Sequence, residues 1–137
     1  MKKLLSILPL LLLCLTAQAQ IQKIIHGTYE LDEVTEITLD LAGNFEVEFW
    51  ASNNVLTETE IKLYDAKKHV LEFFINEKKR YEIKGTLSGD SYKLVSSDKK
   101  REGIAYKGVD CFEEVALTIY IPDSFEKVSD TVYKKKS

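Results

Sequence analysis

The chain has 137 residues, 45% of them hydrophobic, with 19 Lys and Arg against 22 Asp and Glu and a net charge of −3. That balance excludes a nucleic-acid binder, which needs a surplus of basic side chains on one face to neutralise phosphates. The length fits one domain with an apolar core of its own, and two cysteines are too few for a disulfide framework.

Residues 1–19 read as an export signal. Met1-Lys2-Lys3 is basic, Leu4 to Leu15 is apolar apart from Ser6, Pro9 and Cys14, and Thr16-Ala17-Gln18-Ala19 ends in the small-x-small pattern of a peptidase site. The apolar run is shorter than the roughly 20 residues that a membrane-spanning helix needs. Leu13 is too bulky to precede a lipidated Cys14. Cleavage after Ala19 leaves Gln20–Ser137, 118 residues with 17 basic against 22 acidic side chains and a net charge of −5. The expected organisation is a signal peptide over 1–19, one β-rich domain over 20–127 and a polar, basic tail over 128–137. The expected location is the periplasm, the cell surface or the medium, with no transmembrane segment after cleavage. The processed chain keeps one cysteine, Cys111, read as a buried thiol beside the apolar run from Val115.

The dominant period downstream is two, the signature of half-buried strands. Ile37, Leu39 and Leu41 alternate with Glu36, Thr38 and Asp40; Phe45, Val47 and Phe49 alternate with Glu46 and Glu48. The turn residues Ala42-Gly43-Asn44 between them predict an antiparallel hairpin. Thr57 to Tyr64 predicts a third strand with Glu58 and Glu60 on its wet face. Between Asp65 and Lys79 the period changes: Val70, Leu71, Phe74 and Ile75 share one helical stripe, with Asp65 placed to cap it and Lys78-Lys79 at its carbonyl end. A buried strand over 70–75 is the rival reading. Tyr81 to Leu87 and Ser91 to Ser97 predict a hairpin around Ser88-Gly89-Asp90, and 99–108 a loop or ragged edge. Val115, Leu117, Ile119 and Ile121 form a strand that Pro122 stops, since proline cannot donate to a ladder. The expected fold is mainly β, with antiparallel sheets in a small sandwich or short solenoid-like unit and one short helix over about 65–79. A closed barrel carrying one helix is the alternative.

The order Glu46-Val47-Glu48-Phe49-Trp50-Ala51-Ser52-Asn53-Asn54, then Tyr92-Lys93-Leu94-Val95, then Val115 to Pro122 resembles the opening of the head GIN domains of auto-transporter adhesins, over roughly Thr35 to Asp123. The resemblance implies an exported bacterial protein whose first β unit runs into a proline and is followed by stacked β coils. It carries no functional residues with it. The sequence stops soon after Pro122, so the expectation is a single unit without the adhesive rod.

Reactive constellations are scarce. His26 and His69 have no His-x-x-x-His or Cys-x-x-Cys partner. Ser97-Asp98-Lys99-Lys100 matches a Ser-x-x-Lys spacing only in a polar turn. No enzyme and no cofactor are expected. Four acids, Glu46, Glu48, Glu58 and Glu60, would line one patch if their strands paired, and oxygen clusters of that kind bind hard cations; alternating glutamate also simply keeps a sheet face soluble. Trp50 either tucks under a loop or stays partly exposed. With Tyr64, Tyr106 and Tyr120 it would make an adhesive or carbohydrate-stacking patch, while Phe45, Phe49, Phe73, Phe74 and Phe112 mostly fill the core. Lys78-Lys79-Arg80 and Lys99-Lys100-Arg101, each flanked by acids, read as solvated turns, with a phosphate or lipid-headgroup site as the rival reading. Lys134-Lys135-Lys136 reads as a frayed tail.

The expected function is thus a non-enzymatic exported β module with a structural, adhesive or binding role, its partner a protein or glycan of the envelope or another copy of itself. The alternative is a small periplasmic ion- or ligand-binding protein, less readily a hydrolytic one, working from the acidic face.

Overall fold

The computed structural model describes residues 20–137, so the expected export signal over 1–19, with Cys14, lies outside the described residues. The fold is mainly β. Four strands, β1 (Gln20–Glu30), β4 (Asn54–Tyr64), β9 (Glu113–Pro122) and β3 (Phe45–Trp50), form one sheet in that order. A second sheet runs β10 (Phe125–Lys127), β11 (Val132–Lys135), β2 (Glu36–Asp40), β6 (Ser91–Ser96) and β5 (Ile83–Ser88). A small hairpin, β7 (Ile104–Tyr106) with β8 (Val109–Cys111), and one helix, α1 (Lys68–Asn76), complete it. Both sheets stay open, so the architecture is a sandwich and not a barrel.

Alternation in the long strands sets the layers. Along β4, Val55, Thr57, Thr59, Ile61 and Leu63 are buried, and the residues between them are half-exposed. In β9 the residues Leu117, Ile119 and Ile121 fall on the same inner face. These strands are long enough to serve two cores. Val55, Leu117, Ile119 and Ile121 meet Ile37, Leu39, Leu94, Phe125 and Tyr133 of the five-stranded sheet. Further along, Ile61 and Leu63 meet Val70 and Leu71 of α1, with Tyr81, Ile104 and the buried Cys111. Helix and β7–β8 hairpin together cover the half of the sheet that its partner sheet does not reach.

The turn at Gly43 does not make a hairpin. β2 pairs in parallel with β6 and antiparallel with β11, while β3 pairs in parallel with β9 in the opposite sheet. Both strands carry an apolar face, and placing those faces opposite each other buries more than pairing them side by side. Gly43, at φ +71, turns a corner between sheets, and the Ala42 N–H donates to Ser96 Oγ at 2.9 Å to hold it. Ser88-Gly89-Asp90, by contrast, closes the antiparallel β5–β6 hairpin, with Gly89 at φ +63.

Other local expectations shift by small amounts with clear causes. The helix occupies 68–76 with Lys67 at its N-cap position and no side-chain cap; Asp65 sits at φ +60 and does not cap it. The segment 99–108 contributes β7 to a hairpin. Lys134 and Lys135 are not frayed: they belong to β11, where Tyr133, only 3% exposed, anchors the strand in the core. Phe49, Phe73 and Phe112 are exposed. Phe49 keeps the inner phase of β3, but β3 is an edge strand, where Tyr133 meets the ring edge-on at 6.0 Å without covering it.

Candidate functional site

The outer face of the four-stranded sheet carries most of the residues that the sequence singles out. β9 lies between β4 and β3, so the acids of those strands are separated by a strand. Glu58 and Glu46 both register on Thr118, which puts their backbones two strand spacings, about 10 Å, apart. Glu60 registers on Ala116, where Gln22 Nε2 donates to it at 3.0 Å and Lys62 lies 3.6 Å away. The expected four-carboxylate patch therefore does not form. Among the described residues no three His, Cys, Asp or Glu side chains are arranged to hold a metal ion.

What does form is a mixed aromatic and acidic platform at one end of that face. Tyr120 is flanked by Glu48 on β3 and Leu56 on β4. Trp50 continues the outer phase of Glu46 and Glu48, and its ring lies 5.8 Å from that of Tyr120 at a 47° tilt. The indole N–H donates to the Asn54 carbonyl at 2.8 Å, so the loop after β3 holds one edge of Trp50 while the ring stays half-exposed. Partial desolvation first, and then the charges of Glu48 and Glu58, push the Tyr120 phenol up. His26 on β1 lies across from Glu58, with Nε2 and Oε2 at 3.3 Å. Aromatic faces beside carboxylate acceptors suit a ligand with an apolar face and hydroxyl donors.

Tyr64 and Tyr106 are elsewhere. Tyr64 is eight residues along β4 from Leu56, roughly 26 Å away by strand geometry, and stacks near Phe112 at 5.7 Å. Tyr106, on β7, meets His69 of α1 edge-on at 5.4 Å. Of the eight expected binding or metal residues, Trp50, Tyr120, Glu48 and Glu58 come together, with Glu46 beside Glu48 on the same face of β3; Glu60, Tyr64 and Tyr106 stand apart.

A second polar cluster escaped the sequence reading. Arg80 is 4% exposed, not solvated, and its Nε and Nη2 each donate to Glu113 at 3.0 Å. The hydroxyl of Tyr81 donates to the same carboxylate. Burial opposes the ionised Glu113, but bonds from Arg80 and Tyr81 and the charges of Arg80 and Arg101 outweigh it and hold the carboxyl below its ordinary range. Burial likewise opposes charge on Arg80, and Glu113 overrides it, leaving Arg80 raised. Tyr81 is pushed well up by burial and by its bond to Glu113. The available signal was residue type. Arg80 and Arg101 are the only arginines beside 17 lysines, and arginine is the cation suited to a buried two-pronged ion pair.

No family model matches this chain, and neither a curated protein nor a solved structure matches it.

Proposed function

We propose that this chain is an exported, non-enzymatic β module of the cell envelope that binds a neutral glycan on the outer face of its four-stranded sheet. The observation that carries this reading is the meeting of Trp50 and Tyr120 beside Glu48 and Glu58 on an open, half-exposed surface. A sugar ring can lay its C–H face on the aromatic pair while its hydroxyls donate to the carboxylates, which accept only. The acids disfavour anionic ligands at this face by simple repulsion. Export rests on the leader pattern of residues 1–19, and the adhesin-head resemblance points to the same compartment.

Screening the purified protein on an array of neutral and charged envelope glycans tests the proposal. A neutral glycan is expected to bind, and Trp50→Ala or Tyr120→Ala is expected to weaken it about tenfold or more, as loss of a central aromatic anchor does. Binding that survives both substitutions, or a screen in which no glycan binds, contradicts it. Export is checked separately: envelope fractions should yield a chain whose first residue is Gln20.

A further inference from the structure

β3 closes neither its own sheet nor the sandwich. It pairs only with β9, in parallel. In such a strand the N–H and C=O of one residue point to the same side, and those of the next residue point to the other. The Trp50 carbonyl accepts the Asp123 N–H at 2.8 Å, on the β9 side. Trp50, Glu48 and Glu46 therefore bond to β9, while the backbone groups of Phe45, Val47 and Phe49 face the free edge, where no strand of the described residues lies. The side chains of these same three residues line a groove of about 500 Å³ between the two sheets. Tyr133 of β11 contributes from the other sheet, and Lys127 and Asp130, paired at 2.9 Å, make a neutral rim. Phe49 is 48% exposed there although its phase is inward.

A row of open N–H and C=O groups beside an apolar groove suits an extended polypeptide, whose backbone continues the ladder while every second side chain enters the groove. The charges select which polypeptide. On the outer face, the partner's remaining side chains would lie beside Glu46 and Glu48, so acids are repelled and Lys or Arg attracted. The same rule disfavours a second copy of β3: paired antiparallel about Val47, it would set Glu46 of each copy against Glu48 of the other. We infer that β3 is a strand-addition site for a segment of another protein that alternates apolar and basic residues. This inference does not rest on the glycan reading, because the open backbone and the groove lie at the edge and inner side of β3, and the platform of Trp50 and Tyr120 lies on its outer face.

The probes are three soluble peptides: Lys-Val-Lys-Val-Lys-Val-Lys, the same peptide with every lysine replaced by glutamate, and the lysine peptide with proline in place of its central valine. Calorimetry is expected to show the lysine peptide binding and the other two at least about tenfold weaker, one repelled and one unable to complete the ladder. Hydrogen exchange at the Val47 and Phe49 amides should slow on binding, as both gain an acceptor. Phe49→Ser, which changes an exposed side chain, should weaken the lysine peptide about tenfold. Glu46→Lys combined with Glu48→Lys should make the glutamate peptide the tighter binder, whereas Glu102→Lys, an exposed acid outside the groove, should leave the affinities close to those of the unsubstituted protein. The inference is overturned if the lysine peptide does not bind, if the proline peptide binds equally well, if Val47 and Phe49 exchange is unchanged by peptide, or if Glu102→Lys acts as strongly as the β3 charge reversal. Slow exchange at those amides without peptide, in protein that sediments as a dimer, would give the edge to a second copy and overturn it as well.

Discussion

At the scale of single residues, the Arg80–Glu113–Tyr81 cluster is the most consequential polar feature of the interior. Removing one member of a buried ion pair leaves the other charged and uncompensated, at a cost of about 3–5 kcal/mol. Glu113→Gln is therefore expected to lower the urea midpoint strongly. The pH dependence has a definite sign. Because the folded carboxyl titrates below its ordinary value of 4.5, the pair's contribution is fully present above that value and disappears as pH falls through the folded one. The unsubstituted protein should thus lose stability more steeply below about pH 4.5 than Glu113→Gln does; parallel acid limbs would contradict the pairing. This cluster was not legible in the sequence. A strand-leading glutamate and a basic triplet 33 residues earlier look like surface on their own, and only the β9 register and the turn after α1 bring them together.

At the scale of elements, the phase of each strand was legible while its partner was not. Inner residues such as Ile37, Leu39, Ile61, Leu63, Ile119 and Ile121 are all buried as alternation implies. Gly43 marked a chain reversal, yet a left-handed glycine serves a hairpin and a sheet-to-sheet corner equally, so β2 and β3 were wrongly joined. The candidate site shows the same limit: alternation placed Glu46, Glu48, Glu58 and Glu60 on wet faces, but the β9 strand between them decides which neighbours they have. β11 was hidden because its lysines mask one anchor, Tyr133. Tyr133→Ala should cost about 3–5 kcal/mol, as for other large buried side chains, read as a drop in thermal midpoint; a frayed tail would show almost none. In β5, a Cβ on Gly85 would overlap the phenol end of Tyr92. Tyr92 also packs edge-on against Tyr29, whose hydroxyl donates to the Ile83 carbonyl. Gly85→Ala must push that ring aside, with an expected loss of about 1–3 kcal/mol in denaturant unfolding.

At the scale of the whole molecule, β1, β4 and β9 are shared between the two cores, which ties sandwich and helix layer into one cooperative unit. A single unfolding transition, coincident by far-ultraviolet dichroism and tryptophan emission, is expected. The outer face of the four-stranded sheet is open, and on it the chain's sole tryptophan stands against Tyr120. That face is the centre of the functional proposal. Its most direct test is a ¹H–¹⁵N spectrum of the protein titrated with the neutral glycan that gives the strongest array signal. The indole N–H of Trp50 and the amides of Glu48, Leu56, Glu58 and Tyr120 should shift together and saturate at one affinity; an unmoved indole, with shifts gathered instead around α1 or β5, would contradict the account.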